Sequence, residues 1–160
     1  MTPQKIIVIS GAGSYPRLVV EGATRAGVPE VHVLAVRGSA ERATARAADF
    51  VHVEGVGHTL AGVKWVAESG DDGAILAGQI NPLSLFRTTF DAETRALLAS
   101  LRTKCAHSIY GALVNEFEKR GVKMLAASCY MDGNLPGEGV LTTRAPDERE
   151  MKDIARGMVV

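Results

Sequence analysis

Lys5-Ile6-Ile7-Val8-Ile9-Ser10-Gly11-Ala12-Gly13-Ser14-Tyr15-Pro16 is the stretch from which the fold can be read. Its first six residues are almost continuously apolar and β-branched, the pattern of a strand buried on both faces at the centre of a parallel sheet. Two closely spaced glycines follow, then a serine placed to cap a helix and a proline suited to a first helical turn. Helical spacing runs from Pro16 to Ala26 and stops at Gly27, where a terminating glycine belongs. Strand, glycine turn and helix in this order predict the opening unit of a Rossmann-like α/β fold. They also bring main-chain N–H groups and the positive end of a helix dipole to one point.

The same alternation continues outward. Val31 to Val36 and Ala74 to Ala77 read as buried strands, with Phe50 to Val53 and Val122 to Ala126 as shorter candidates. Helices are expected over Glu41 to Ala48 and Leu60 to Glu68, the second stopping at the turn Gly70-Asp71-Asp72-Gly73. Asp91 is placed to cap a helix through Leu101, and Ile109 to Arg120 gives another before Gly121. Ser128 to Pro146 carries Gly133, Pro136, Gly137, Gly139 and Pro146, too many breakers for a regular element, and Asp147 opens a last helix. The expected plan is a Rossmann-like three-layer domain with a mostly parallel sheet over 1–146. A helical segment over 147–160 then leads toward a second domain or a partner chain. The apolar ending Met158-Val159-Val160 also suits a homo-oligomer.

A chain of 160 residues that is 46% hydrophobic can build one core of its own. Lys and Arg number 18, as do Asp and Glu, so the net charge is zero and the cationic field that draws proteins to nucleic acid is missing. Nucleic acid is excluded as a partner on that ground. Cys105 and Cys129 stand alone, with neither a disulfide framework nor metal-ligand spacing, which fits reduced thiols in a cytoplasmic protein. The apolar run Ile6 to Ile9 is too brief for a signal peptide or a membrane span. Contact with a membrane surface through a lipid-linked substrate stays open.

The expected phosphate site is Gly11, Ala12, Gly13 and Ser14, with Tyr15 and Arg37 as auxiliaries. A dinucleotide fingerprint would carry glycine where Pro16 stands and an acid where Arg37 stands, so NAD is disfavoured, while Arg37-Gly38-Ser39 suits the extra phosphate of NADP. The alternative is a tight turn with no ligand. Gly78, Gln79 and Asn81 follow the fourth strand, and Ser84 and Arg87 continue that polar edge, which the fold would set across from the glycine turn. Those amides can equally satisfy loop backbone. His58 suits either a ligand contact or a cap, and His32 and His52 read as structural. Cys105 and His107 are close in sequence, though such nucleophile pairs are made in space. Asp71-Asp72 and Asp147-Glu148 read as a turn and a helix first turn. There is no lysine of a phosphate loop, no G-x-S-x-G and no H-E-x-x-H, so no catalytic constellation can be assigned.

Three stretches together resemble a known family: Gly11 to Pro16, Gly78-Gln79-Ile80-Asn81-Pro82-Leu83-Ser84-Leu85-Phe86-Arg87, and Gly139-Val140-Leu141-Thr142-Thr143-Arg144-Ala145-Pro146. Their order and spacing are similar to the N-terminal half of LpxI-type UDP-2,3-diacylglucosamine pyrophosphatases. The resemblance implies hydrolysis of a UDP-sugar lipid to UMP and 2,3-diacylglucosamine 1-phosphate in lipid A biosynthesis, in the cytoplasm beside the inner membrane, with magnesium assisting. It also places the essential acidic residues in a C-terminal domain, so this chain is expected to bind part of the ligand without turning it over alone. Gln79 stands where such proteins usually carry lysine, and Thr103-Lys104-Cys105-Ala106-His107 replaces a stretch usually carrying glycine and aspartates. A non-catalytic regulatory or scaffold domain and a fragment of an NADP-dependent reductase are the alternatives.

Overall fold

β1 runs over Lys5–Ser10 and is the axis about which the rest is arranged. In the computed structural model, which describes residues 3–80, 88–103 and 105–159, it is followed by α1 (Tyr15–Arg25), β2 (Glu30–Val36), α2 (Arg42–Ala47) and β3 (Phe50–Glu54). A short 3-10 turn at Val56–His58 leads into α3 (Thr59–Glu68), then β4 (Gly73–Ala77), α4 (Ala92–Ser100), α5 (Ala106–Lys119) and α6 (Glu148–Gly157). The described strands form one parallel sheet in the order β3-β2-β1-β4, with Ile6 beside both Val31 and Gly73. This is the expected α/β fold.

The order contains a reversal. From β1 the chain steps outward to β2 and β3, then α3 carries it back across the sheet to β4 on the other side of β1. At such a switch point the two loops leaving the strands diverge and open a crevice at the carboxyl edge. α1 and α2 cover one face, where Val19, Val20 and Ala23 close over Ile6, Val8, Val31 and Val33. α3 and α5 cover the other, where Leu60, Val63, Val66 and Phe117 meet Ile7, Ile9 and Leu34. Buried apolar area is the main stabilising term for both layers. α6 buries none of its residues; its Met151 and Ile154, and Met158 just beyond its end, are exposed. Among the described residues no helix is long and apolar enough to cross a membrane.

Two expectations change. Val122 to Ala126 does not extend the sheet as a strand; only an isolated parallel bridge joins Met124 to Ala74, through Ala74 N to Lys123 O at 2.9 Å and Leu125 N to Ala74 O at 2.8 Å. The Tyr15 hydroxyl donates to Ala127 O at 2.8 Å and the chain turns where Cys129 N donates to Ala126 O, so pairing ends after one bridge. Ser14 occupies the N-cap position of α1, yet its side chain makes no cap hydrogen bond, because its backbone is already helical (φ −72°, ψ −21°) rather than extended as capping requires. Asp91 does cap, accepting from Thr94 N at 2.7 Å.

Candidate functional site

A crevice of ≈ 590 Å³ lies at the carboxyl edge of the sheet, lined by Gly11, Val36, Ala77, Gly78 and Gln79, with Ala106 and Tyr110 of α5 on its far wall. The two loops expected to face each other are in direct contact. Ala12 N donates to Gln79 O at 2.6 Å, Gln79 N returns the bond to Ala12 O at 3.0 Å, and Gly11 N donates to Ala77 O at 2.8 Å. Approach this close needs glycine. A Cβ on Gly78, which has φ +87°, would stand 2.7 Å from Ala12 O and 2.8 Å from Pro16 Cγ, and one on Gly11 would meet the Gln79 backbone. Pro16 therefore packs where the dinucleotide fingerprint would have glycine, and the small residue it needs is supplied by Gly78 from the other loop.

The donors of the glycine turn are divided accordingly. Gly11 spends its N–H on the end of β4 and Ala12 on the second loop, and Gly13, at φ +96°, donates to Glu41 Oε1 at 3.1 Å. The N–H groups of Ser14 and Tyr15, at the start of α1, make no hydrogen bond among the described residues. Any anion held by this turn is held there, where the helix dipole adds to the two donors. The Tyr15 hydroxyl is taken by Ala127 O, which ties the turn to the 122–131 segment.

Arg37 sits exposed on the turn after β2, its N–H donating to Glu54 O at 2.8 Å, and its guanidinium makes no salt bridge among the described residues. Gln79 is exposed and fixed through its main chain. Asn81 lies outside the described residues, as do Ser84 and Arg87. Glu41 is the residue that reading the sequence missed. It lies beyond the strand-end position where an acid is sought, and only the fold of the intervening turn returns it to the glycine loop.

The other singled-out side chains fall elsewhere. His52 stacks on Trp65 at 4.4 Å between ring centroids, and His32 tilts against Phe50 with its Nδ1 3.5 Å from Asp71 Oδ1. His58 stands at the N-cap position of α3 without a cap bond, its Nδ1 3.5 Å from Glu54 Oε1. Cys105 begins α5, where its partner is Ser108 and not the His107 imidazole. The Ser108 hydroxyl, 3.5 Å from the sulfur, and the Ser108 N–H hold the thiol below its ordinary range. Among the described residues no three His, Cys, Asp or Glu side chains converge as a metal site requires.

A second cavity adjoins the crevice. It measures ≈ 400 Å³ and lies between the sheet and α3, α4 and α5, lined mostly by apolar side chains such as Leu34, Val63, Leu97, Leu101, Leu113 and Phe117. Ile9, Val36, Leu76, Ile80, Ala106 and Tyr110 line both spaces, so the two are continuous, and apart from Gln79 and Tyr110 the crevice too is lined by glycines and apolar residues.

Residues 5–134 match the LpxI N-terminal domain. The chain belongs to that family. The match takes in the glycine turn, all four described strands and the Gly78 loop, and it ends before α6. The LpxI N-terminal domain family is involved in lipid A biosynthesis. Among curated proteins none matches the chain.

Proposed function

We propose that this LpxI N-terminal domain binds a UDP-sugar lipid, the nucleotide in the carboxyl-edge crevice and an acyl chain in the apolar chamber beside it. The observation that carries the reading is the shared wall of the two spaces, since a ligand polar at one end and aliphatic at the other needs both in continuity. Phosphate oxygens then reach past Gly11, beyond the crevice lining, to the Ser14 and Tyr15 N–H groups at the start of α1, while Gly11 and Gly78 keep the two loops together as the floor. Arg37, Gln79 and Asn81 are auxiliary contacts. This chain positions the ligand. Hydrolysis to UMP and 2,3-diacylglucosamine 1-phosphate, with magnesium, is assigned to a second domain or partner chain that brings the acidic groups. The setting proposed is the cytoplasmic side of the inner membrane, met peripherally through the lipid.

Isothermal titration of the chain with UMP, UDP and NADP, with and without magnesium, tests the reading. Uridine nucleotides are expected to bind and Gly13→Asp to abolish binding, because it adds a negative charge next to the two donors, with thermal unfolding to confirm that the fold carries the strained left-handed residue. A preference for NADP would assign the turn to a reductase fragment. Silence from all three would mean that the loop pairing has turned the site into scaffold.

A further inference from the structure

The contact between Glu41 and the glycine turn has no role in holding Glu41's own helix. Glu41 precedes α2 as its N-cap residue but makes no side-chain bond to it, reaching back to Gly13 N at 3.1 Å instead. The turn after β2 makes this reach possible. Gly38 takes φ +76°, and Ser39 and Ala40 both donate to Val36 O at 3.0 and 2.9 Å, folding the chain back on the strand end. Oε1 is held by the glycine amide, while Oε2 makes no hydrogen bond among the described residues.

An ionised carboxylate only accepts hydrogen bonds, so whatever meets Oε2 must donate, and a phosphate oxygen is repelled. In dinucleotide-binding folds an acid beside the glycine turn accepts from ribose hydroxyls while phosphate sits on the helix start. Here a carboxylate also stands beside the glycine turn, arriving from further along the chain. We propose that Glu41 is the acceptor for the vicinal hydroxyls of the ribose of the bound nucleotide, and that it sets the preference for a ribonucleotide. The assignment rests on the nucleotide reading above.

The test compares binding of UDP and 2′,3′-dideoxy-UDP to the chain, to Glu41→Ala and to Glu41→Gln, with thermal unfolding to check each fold. A hydrogen bond to a charged acceptor predicts that the unmodified chain favours UDP by about tenfold or more. Glu41→Ala should bind the two ligands equally, and Glu41→Gln should lose most of the preference with unchanged unfolding. An unmodified chain that binds both ligands equally overturns the assignment while leaving the nucleotide reading intact, as does a preference that survives in Glu41→Ala. Equal tightening of both ligands in Glu41→Ala would overturn it too, making Glu41 a rival anion for the Gly13 amide. If the unmodified chain binds neither ligand, the nucleotide reading falls and takes this assignment with it.

Discussion

Gly13 and Gly78 provide a controlled comparison, because both hold left-handed backbone (φ +96° and +87°) but only one is crowded. Alanine at either position takes a conformation that costs an L-residue about 1–2 kcal/mol. At Gly13 nothing lies within 4 Å of the new Cβ, so the cost ends there. At Gly78 the Cβ would stand 2.7 Å from Ala12 O, 2.8 Å from Pro16 Cγ and 2.9 Å from Gly11 C, and overpacking of this kind adds about 1–3 kcal/mol. Gly78→Ala is therefore expected to cost about 2–5 kcal/mol. At about 2–4 °C per kcal/mol for a domain of this size, its melting temperature falls by roughly 4–20 °C, against about 2–8 °C for Gly13→Ala. Thermal unfolding followed by circular dichroism reads both. Equal losses for the two variants would refute the reasoning, since they would mean that the loops do not rest on each other at Gly78.

Tyr15→Phe removes the donor to Ala127 O and is expected to lower stability by about 0.5–1.5 kcal/mol in urea unfolding, with UDP affinity unchanged. A loss of UDP affinity at full stability would return Tyr15 to the ligand site. The N–H groups of Lys5 and Gln4 hold the Asp72 carboxyl below its ordinary range. A lowered folded-state value means that the stabilisation is present above the unfolded value near about pH 4 and is lost as pH falls through the lower one. Urea midpoints of the unmodified chain should therefore drop on acidification below about pH 4, and Asp72→Asn should flatten that part of the profile. An unchanged slope in Asp72→Asn would locate the acid sensitivity elsewhere.

Periodicity was enough for the layers of this molecule. The alternation of β-branched runs with helical spacing is a local property, and the four strands formed where it placed them, β1 with both of its ends. Val122 to Ala126 has the same composition without the same outcome, because a strand at a sheet edge also needs a chain path that stays beside its neighbour. The Tyr15 to Ala127 bond and the turn after Ala126 divert that path. The glycine turn was legible as a place where phosphate-binding geometry can form, since glycine positions and a following helix are read directly along the chain.

How the donors of that turn are used was not legible. Which N–H groups stay open depends on Gln79 and Glu41, residues far from Gly11 and Gly13 in the chain and close only after folding. Sequence spacing pointed to Arg37 as the occupant of the acid's usual position, and the fold of the Gly38 turn brought Glu41 to that place instead. The amino-acid sequence by itself determined the α/β alternation, the family and the position of the glycine loops, all fixed by residue type and order. Only the tertiary structure decided that the two loops pair, that Gly78 makes room for Pro16, and that the carboxyl-edge crevice shares a wall with an apolar chamber. Hydrogen bonds and cavities join groups brought together through space, and no local pattern encodes their meeting.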